Sequence, residues 1–232
     1  MSRPMRKRLP AVALIFAAQT LGPFMPAWAQ EEPPQTTKEG LQLTKHTQQR
    51  LVYTRPGATF TQFKRVAIVD TYVEFSKNWL RDYNNSTSDP SRRISDSDLE
   101  RAKTELSAQF KKIFSEELAK GGYQITDSGG ADVLVLRPAL INIAVSAPDL
   151  MTPGRSTTYA VSAGQMTLYL ELWDGGSNTI LARVIDARSD PQMYGQRTSS
   201  VSNRAAADRM LTAWADELRT KLDLAAGKRS NP

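Results

Sequence analysis

Residues 168–190, LYLELWDGGSNTILARVIDARSD, consist of two apolar runs joined by a turn that contains two consecutive glycines. The runs are rich in aliphatic and aromatic residues and are bounded by turn-forming residues, which predicts a β-hairpin. We place residues 174–178 in the hairpin loop, so that Trp173 lies opposite Thr179 and Leu172 lies opposite Ile180. This register decides which side chains share a face of the sheet.

The predicted register gives the hairpin two different faces. One face is apolar with Asp186 at its rim, whereas the other carries Tyr169, Glu171, Trp173 and Arg183. Arg183 is expected to lie opposite Tyr169 and to reach Glu171 diagonally. Because Glu171 and Asp186 point to opposite faces, the hairpin offers no converging carboxylate pair for acid/base hydrolysis. We interpret the hairpin as structural. The alternative is a shallow binding surface for a glycan or a protein, formed by Tyr169, Glu171, Trp173 and Arg183.

Two amphipathic helices are predicted on either side of the central strands. The first has apolar residues three and four positions apart between Leu99 and Leu118, follows a segment rich in serine and aspartate, and stops at Gly121. The second begins near Ser202 and runs to about Ala225. Each helix has a single apolar stripe, so each needs a sheet to pack against.

Further strands are predicted at 65–75, 123–125 and 131–145. Pro138 cannot donate a backbone hydrogen bond, which favours an edge position or a bulge in the last of them. For Arg137 we favour a side chain that reaches solvent or pairs with a carboxylate; a ligand contact is the alternative. The pattern predicts an α+β fold in two layers, with a mixed or antiparallel sheet of four to five strands and two long helices packed on one face.

The N-terminus has the pattern of a secretory signal peptide, residues 1–29. Four basic side chains precede an apolar run at 11–18, and small residues flank a cleavage point after Ala29. The run is shorter than the roughly 20 residues that cross a bilayer. We therefore expect a periplasmic protein without a transmembrane segment in its mature chain; retention of the segment as an anchor is the alternative.

After the signal peptide, the chain is predicted to contain three parts. Residues 30–50 are polar and are predicted to be a flexible tether, residues 51–226 a single α+β domain, and residues 227–232 a basic tail. Residues 84–98 and 147–158 are predicted to be exposed loops.

Composition excludes several classes of function. Cleavage would remove four of the 30 basic residues and none of the 24 acidic ones, so the net charge would fall from +6 to 26 − 24 = +2, which argues against a nucleic-acid partner. The chain has no cysteine, so it has no disulfide, cysteine nucleophile or thiolate metal ligand. Its one histidine, His46, cannot supply the imidazoles of a typical catalytic zinc site. We predict no catalytic residue, metal or cofactor.

Two segments resemble a known family. DSGGADVLVLRP at 127–138, and ELWD at 171–174 leading to VIDAR at 184–188, occur in an order similar to that of the exported bacterial proteins called domain of unknown function 3313. The resemblance covers about residues 45–225. It implies a periplasmic α+β domain and no catalytic residue. Many members resemble lipoproteins, whereas this chain has no cysteine to carry a lipid.

Two functions are consistent with the sequence. The first is a periplasmic accessory or binding module of the bacterial cell envelope, with an envelope protein or a cell-wall polymer as its partner. The alternative is a carboxylate-dependent hydrolase of an envelope substrate, which would need at least two of Asp70, Glu74 and Asp186 in one cleft. A homodimer that covers the open face of the sheet is a further alternative.

Overall fold

The computed structural model describes residues 32–145, 158–159, 164–190, 197–198 and 200–228. The predicted signal peptide lies outside the described residues, as do the loop predicted at 147–158, apart from Thr158, and residues 229–232 of the tail.

The described residues form ten strands and three α-helices. The strands are β1 Gln42–His46, β2 Arg50–Thr54, β3 Arg65–Ile68, β4 Tyr72–Phe75, β5 Gln124–Ile125, β6 Val133–Val145, β7 Thr158–Tyr159, β8 Gly164–Asp174, β9 Thr179–Ser189 and β10 Arg197–Thr198. The helices are α1 Trp79–Ser86, α2 Asp96–Lys120 and α3 Ser200–Ala225.

Eight of the strands form one mixed sheet. Its order is β1-β2-β9-β8-β6-β3-β5, and β4 also pairs with β6; β7 and β10 form a separate pair. Strand β8 runs antiparallel to both of its neighbours, β6 and β9. Strands β3 and β4 run parallel to β6. The α+β class is confirmed, but the prediction of four to five strands is too low, and the short helix α1 was not predicted.

Two features account for the additional strands. The strand predicted at 65–75 is divided into β3 and β4, which pair with successive parts of β6. The segment predicted as a tether, 30–50, contains β1, which pairs with β2, and Leu41 beside it is fully buried. The sheet therefore begins before residue 51, although this segment is largely polar.

Pro138 lies neither on an edge strand nor at a bulge, but at a gap on one side of β6, between the segments that pair with β3 and with β4. The Val69 N–H donates to the Leu136 carbonyl, at 3.1 Å, so Leu136 presents its backbone groups towards β3 and β4. Because alternate residues of a strand present theirs to the same side, Pro138 faces the break between β3 and β4, where no ladder hydrogen bond is needed. The bulge of β6 lies further on, between Ile141 and Ala144.

The register of the hairpin differs from the prediction by two residues. Asp174, and not Trp173, pairs with Thr179, and an irregularity follows, so that Trp173 pairs with Ile180 while Leu172 pairs with Ala182. The pair next to the loop is already shifted by one residue from the prediction. The irregularity between Leu172 and Trp173 adds one more residue, as a bulge does, so the total shift beyond it is two residues. Beyond the irregularity, from Ala182 onward in β9, the even shift leaves the side chains on their predicted faces. Before it the shift is a single residue, so Ile180 lies beside Trp173 on the face opposite the helices and Leu181 joins the main core, the reverse of the prediction.

The two long helices pack on one face of the sheet, as predicted. Ser95 forms a capping box with Asp98 at the start of α2. Phe110 and Phe114 of α2 stack with their ring centroids 3.8 Å apart. The main core joins residues of both helices to alternate residues of the sheet: Phe110, Phe114, Leu118, Met210, Leu211 and Trp214 with Val66, Ile68, Leu134, Leu136, Leu140, Leu168, Leu170 and Leu172. A smaller cluster contains Leu41, Leu51, Tyr53 and Ile180.

Candidate functional site

The four residues predicted as a binding surface lie together on the sheet face opposite the long helices. Glu171 is their centre, because its carboxylate accepts hydrogen bonds from the Tyr169 hydroxyl at 2.8 Å and from Trp173 Nε1 at 3.0 Å. Arg183 lies directly opposite Glu171 and forms an ion pair with it at 2.7 Å. The predicted diagonal contact between Arg183 and Glu171 is therefore a direct cross-strand pair.

A fifth residue, Arg137, belongs to the same surface. Its guanidinium carbon lies 4.1 Å from the centroid of the Trp173 ring, and it donates to Asn178 Oδ1 at 3.2 Å. Arg183 lies in the same way over Tyr169, at 5.6 Å. We call Arg137, Tyr169, Glu171, Trp173 and Arg183 the hairpin face; its two guanidinium–ring contacts are typical cation–π pairs.

The sequence singles out Arg137 but does not join it to this surface. Pairing of β6 with β8 places Arg137 opposite Glu171, beside Trp173. An arginine in a mainly apolar strand is the available signal. It does not reveal which strand is the neighbour, because β6 and β8 are separated by a long stretch of chain.

The carboxylate of the hairpin face is held by several donors, which lower its pKa. Burial raises the pKa of Glu171, but hydrogen bonds from Tyr169, Arg183 and Trp173 outweigh this effect and lower it overall. Arg183 also binds the carboxylate of Glu39, at 3.0 Å; its hydrogen bond, followed by those from Thr37 and the backbone, lowers the pKa of Glu39 to about 2.

Arg137 differs from Arg183 in its surroundings. Arg183 has two carboxylate partners and a side chain that is only 15% exposed. Arg137 is an exposed residue that contacts Trp173 and Asn178, and within the described part of the chain it forms no salt bridge. Arg137 is therefore the cation of the hairpin face that is available to an acidic group.

The glycines of the two family-like segments hold this end of the sheet together. The Gly175 N–H donates to the Val133 carbonyl at 2.9 Å. A Cβ atom on Gly175 would lie 2.8 Å from that oxygen and 3.0 Å from the Gly130 carbonyl oxygen. The turn after Trp173 and the turn before β6 therefore pack backbone to backbone, a contact that only glycine allows at this position.

Asp186 lies on the other side of the sheet, beneath α3. It is 3% exposed and accepts hydrogen bonds from Arg50 at 2.6 Å, Arg188 at 2.9 Å and Trp214 Nε1 at 2.6 Å. Glu217 of α3 binds the same two arginines. We call Asp186, Arg50, Arg188 and Glu217 the helix-face network.

The three carboxylates of the predicted hydrolase do not share a cleft. Asp70 and Glu74 are exposed, and Glu74 accepts a hydrogen bond from the Tyr72 hydroxyl at 3.1 Å. Val73 belongs to the core on the helix side, so Glu74, its neighbour in β4, points to the opposite face. Asp186 is buried on the helix side, separated from Glu74 by the sheet.

Neither a metal cluster nor a membrane span is found within the described ranges. No group of three or more histidine, aspartate or glutamate side chains there is arranged to hold a metal ion. Of the helices described, none combines the length and the hydropathy needed to cross a membrane.

Comparison with known proteins identifies a family. A family model described as "Protein of unknown function (DUF3313)" matches residues 36–218, which confirms the resemblance seen in the sequence. No curated protein matches the chain.

Several solved structures are similar at low identity. The PelC dodecamer from Paraburkholderia phytofirmans is 14% identical, with 78% of this chain and 99% of that chain covered and a TM-score of 0.35. A minor lipoprotein from Acinetobacter baumannii is 12% identical, with coverages of 72% and 95% and a TM-score of 0.31. A DUF4136 family protein from Bacteroides thetaiotaomicron is 14% identical, with coverages of 78% and 99% and a TM-score of 0.34. TM-scores of this size assign neither a site nor an assembly to this chain.

Proposed function

The chain belongs to the DUF3313 family, whose function is unknown, and we propose that it is a periplasmic accessory or binding module of the bacterial cell envelope. Its binding surface is the hairpin face, and its partner is an envelope protein or a cell-wall polymer that presents an acidic group. The periplasmic location is supported by the basic and apolar pattern of residues 1–29 and by the small-residue cleavage point after Ala29.

One observation carries the binding proposal. The exposed guanidinium of Arg137 lies over the Trp173 ring, 4.1 Å from its centroid, and has no carboxylate partner within the described ranges. Arginine held in this way combines an apolar surface with a fixed fork of hydrogen-bond donors that suits a carboxylate or a phosphate. Aromatic residues and arginine are also the types most often found at the centres of protein interfaces.

The rest of the hairpin face supports Arg137 in this role. Glu171 fixes Tyr169, Trp173 and Arg183 through four contacts, so the rings are held in place before a partner arrives. Preorganised side chains lose little conformational entropy on binding. The hydrolase alternative has no comparable support, since Asp186 lies on the other side of the sheet from Glu74, and the remaining pair, Asp70 and Glu74, is exposed at the surface.

In-cell crosslinking tests this proposal. The tagged protein, exported by its own N-terminus, is crosslinked in living cells, and the captured proteins and glycans are identified by mass spectrometry. We expect Arg137→Glu to abolish capture of a specific envelope partner, because the variant replaces the free cation by an anion. Arg81→Glu is the matched control, since Arg81 is 65% exposed on α1 and its ion pair is with its neighbour Asp82.

Arg137 is a better probe than Arg183. Replacing Arg183 would leave Glu171 and Glu39 without their ion-pair partner and would disturb the surface itself. Equal capture by wild type, Arg137→Glu and Arg81→Glu would exclude the hairpin face as the binding surface. Crosslinks between copies of the chain alone, lost in Arg137→Glu, would assign the face to a homodimer instead.

A further inference from the structure

A groove lies on the helix side of the sheet, between α3 and the strands that the long helices leave uncovered. Its volume is about 340 Å³, within the range of small-molecule sites in proteins. The floor comes from β2, β8 and β9, and one wall comes from α3. Most of the groove is lined by apolar side chains, among them Val52, Phe60, Leu170, Val184, Leu218 and Leu222.

The polar groups at one part of this groove are already paired. Asp186 and Glu217 line it, and both accept hydrogen bonds from Arg50 and Arg188. The hydrogen bond from Arg50 is the main influence on the pKa of Glu217 and lowers it despite the opposing effect of burial, so the carboxylate stays charged and paired at neutral pH. The helix-face network therefore presents no unpaired charge to an apolar occupant.

Two cations at the solvent side of the groove are different. Lys45 of β1 and Lys221 of α3 both line it, and both residues are exposed. Within the described part of the chain, neither ammonium group forms a salt bridge. The groove thus combines an apolar interior with two free positive charges at its mouth.

We infer that this groove binds an anionic amphiphile with one alkyl chain, specifically a free fatty acid. The alkyl chain lies along the apolar residues of the sheet and α3, and the carboxylate lies between Lys45 and Lys221. A volume of about 340 Å³ is near the lower end of small-molecule sites, which suits a single alkyl chain of medium length. The inference is independent of the hairpin face, which lies on the opposite side of the sheet.

Charge complementarity selects this ligand over a neutral one. A neutral apolar ligand makes no use of two lysines at the mouth, and a cationic amphiphile is repelled by them. A single chain is selected over a bulkier lipid because the groove is close to the lower limit of ligand-site volumes.

Displacement of a fluorescent fatty acid tests the inference. The protein is purified after expression with its own N-terminus, and the probe is displaced by dodecanoate or by dodecanol, both below their aggregation concentrations. We expect saturable displacement at one site, with dodecanoate binding at least about tenfold more tightly than dodecanol, since only dodecanoate meets the lysines as an anion.

Variants separate the head-group contact from the chain contact. The double variant Lys45→Glu, Lys221→Glu is expected to raise the Kd of dodecanoate by about tenfold or more while changing that of dodecanol by less than about threefold. Ala225→Trp adds a large side chain at the exposed end of α3, outside the core, and is expected to weaken both ligands. Lys77→Glu is the matched control, because Lys77 is exposed and does not line the groove.

Three results would overturn the inference. The first is no saturable displacement by dodecanoate. The second is an equal effect of Lys77→Glu and of the double lysine variant, which would reduce the lysines to a general surface charge. The third is an oligomer, seen by light scattering, that Ala225→Trp dissociates and dodecanoate does not; that result would assign the groove to a second copy of the chain.

Discussion

Glu171 shows how one carboxylate can organise a surface. Its two neighbours on the same strand face, Tyr169 and Trp173, both donate to it, and Arg183 pairs with it from the next strand. Each of these groups would lose a partner if Glu171 changed. Glu171 is therefore a positioning residue of the hairpin face, whereas Arg137 is the group offered to a ligand.

We predict that Glu171→Gln lowers the free energy of unfolding at pH 7 by roughly 1.5–3 kcal/mol, the usual contribution of hydrogen bonds to a charged group. The folded-state pKa of Glu171 is lowered, so its stabilisation is present above the unfolded-state pKa and is lost as the pH falls through the folded-state pKa. The difference between wild type and variant should thus shrink on acidification. Urea unfolding at a series of pH values measures it.

Glu116→Gln is the control for this experiment, since Glu116 is exposed on α2 and forms no salt bridge with the described residues. It should differ little from wild type at any pH. A Glu171→Gln difference that stays constant from neutral to acidic pH would show that the charge of Glu171 does not stabilise the fold.

At the scale of elements, two glycine turns join β6 to the hairpin. The turn before β6 and the turn between β8 and β9 touch through their backbones at Gly130, Val133 and Gly175. This contact explains why glycines are prominent in both family-like segments. Their role is to let two turns approach at the end of the β6–β8 pair that carries Arg137 and Trp173.

Gly175→Ala should separate these turns. The new Cβ would lie 2.8 Å from the Val133 oxygen, a backbone atom that cannot rotate away. We expect a loss of about 1–3 kcal/mol in the free energy of unfolding, as for other overpacked sites, together with a change in Trp173 fluorescence. Gly129→Ala is the control in the neighbouring turn, because its Cβ would meet only the Gly175 oxygen, at an ordinary 3.7 Å. Equal losses for the two variants would contradict the packing argument.

At the scale of the whole molecule, the helix-face network fastens α3 to the sheet. Asp186 of β9 binds Trp214 of α3 and Arg50 of β2, so one carboxylate joins three elements that are distant in sequence. Because Asp186 is buried, removing it would leave the Arg50 and Trp214 donors without this partner in a poorly hydrated environment.

Asp186→Ala should therefore be severely destabilising. Breaking a buried ion pair by removing one partner costs about 3–5 kcal/mol, and thermal or urea unfolding would show the loss. Glu217→Gln is the comparison, because the Glu217 side chain is 36% exposed and binds the same arginines; an exposed pair contributes at most about 1 kcal/mol. A larger loss for Glu217→Gln than for Asp186→Ala would show that α3 is held mainly from its exposed side.

The sequence predicts the two long helices, the central strands and the faces of the hairpin except at Ile180 and Leu181. Apolar side chains at a spacing of three and four residues, or at alternate residues, report burial over a short stretch of chain. The same pattern misses β1, since its side chains are mostly exposed. It also joins β3 to β4, since both are apolar and the break at residues 69–71 is set by the neighbouring strand.

What the sequence alone determined about this protein is the kind of each main element, the signal-peptide pattern, the excluded cysteine chemistry and the family. These depend on composition and on spacing between near neighbours. Only the tertiary structure decided the strand order, the extra residue that shifts the hairpin register, the stacking of Arg137 on Trp173 and the groove beside α3. The physical reason is that these features arise from contacts between segments far apart in the chain, and burial selects those contacts only when the whole sheet is assembled.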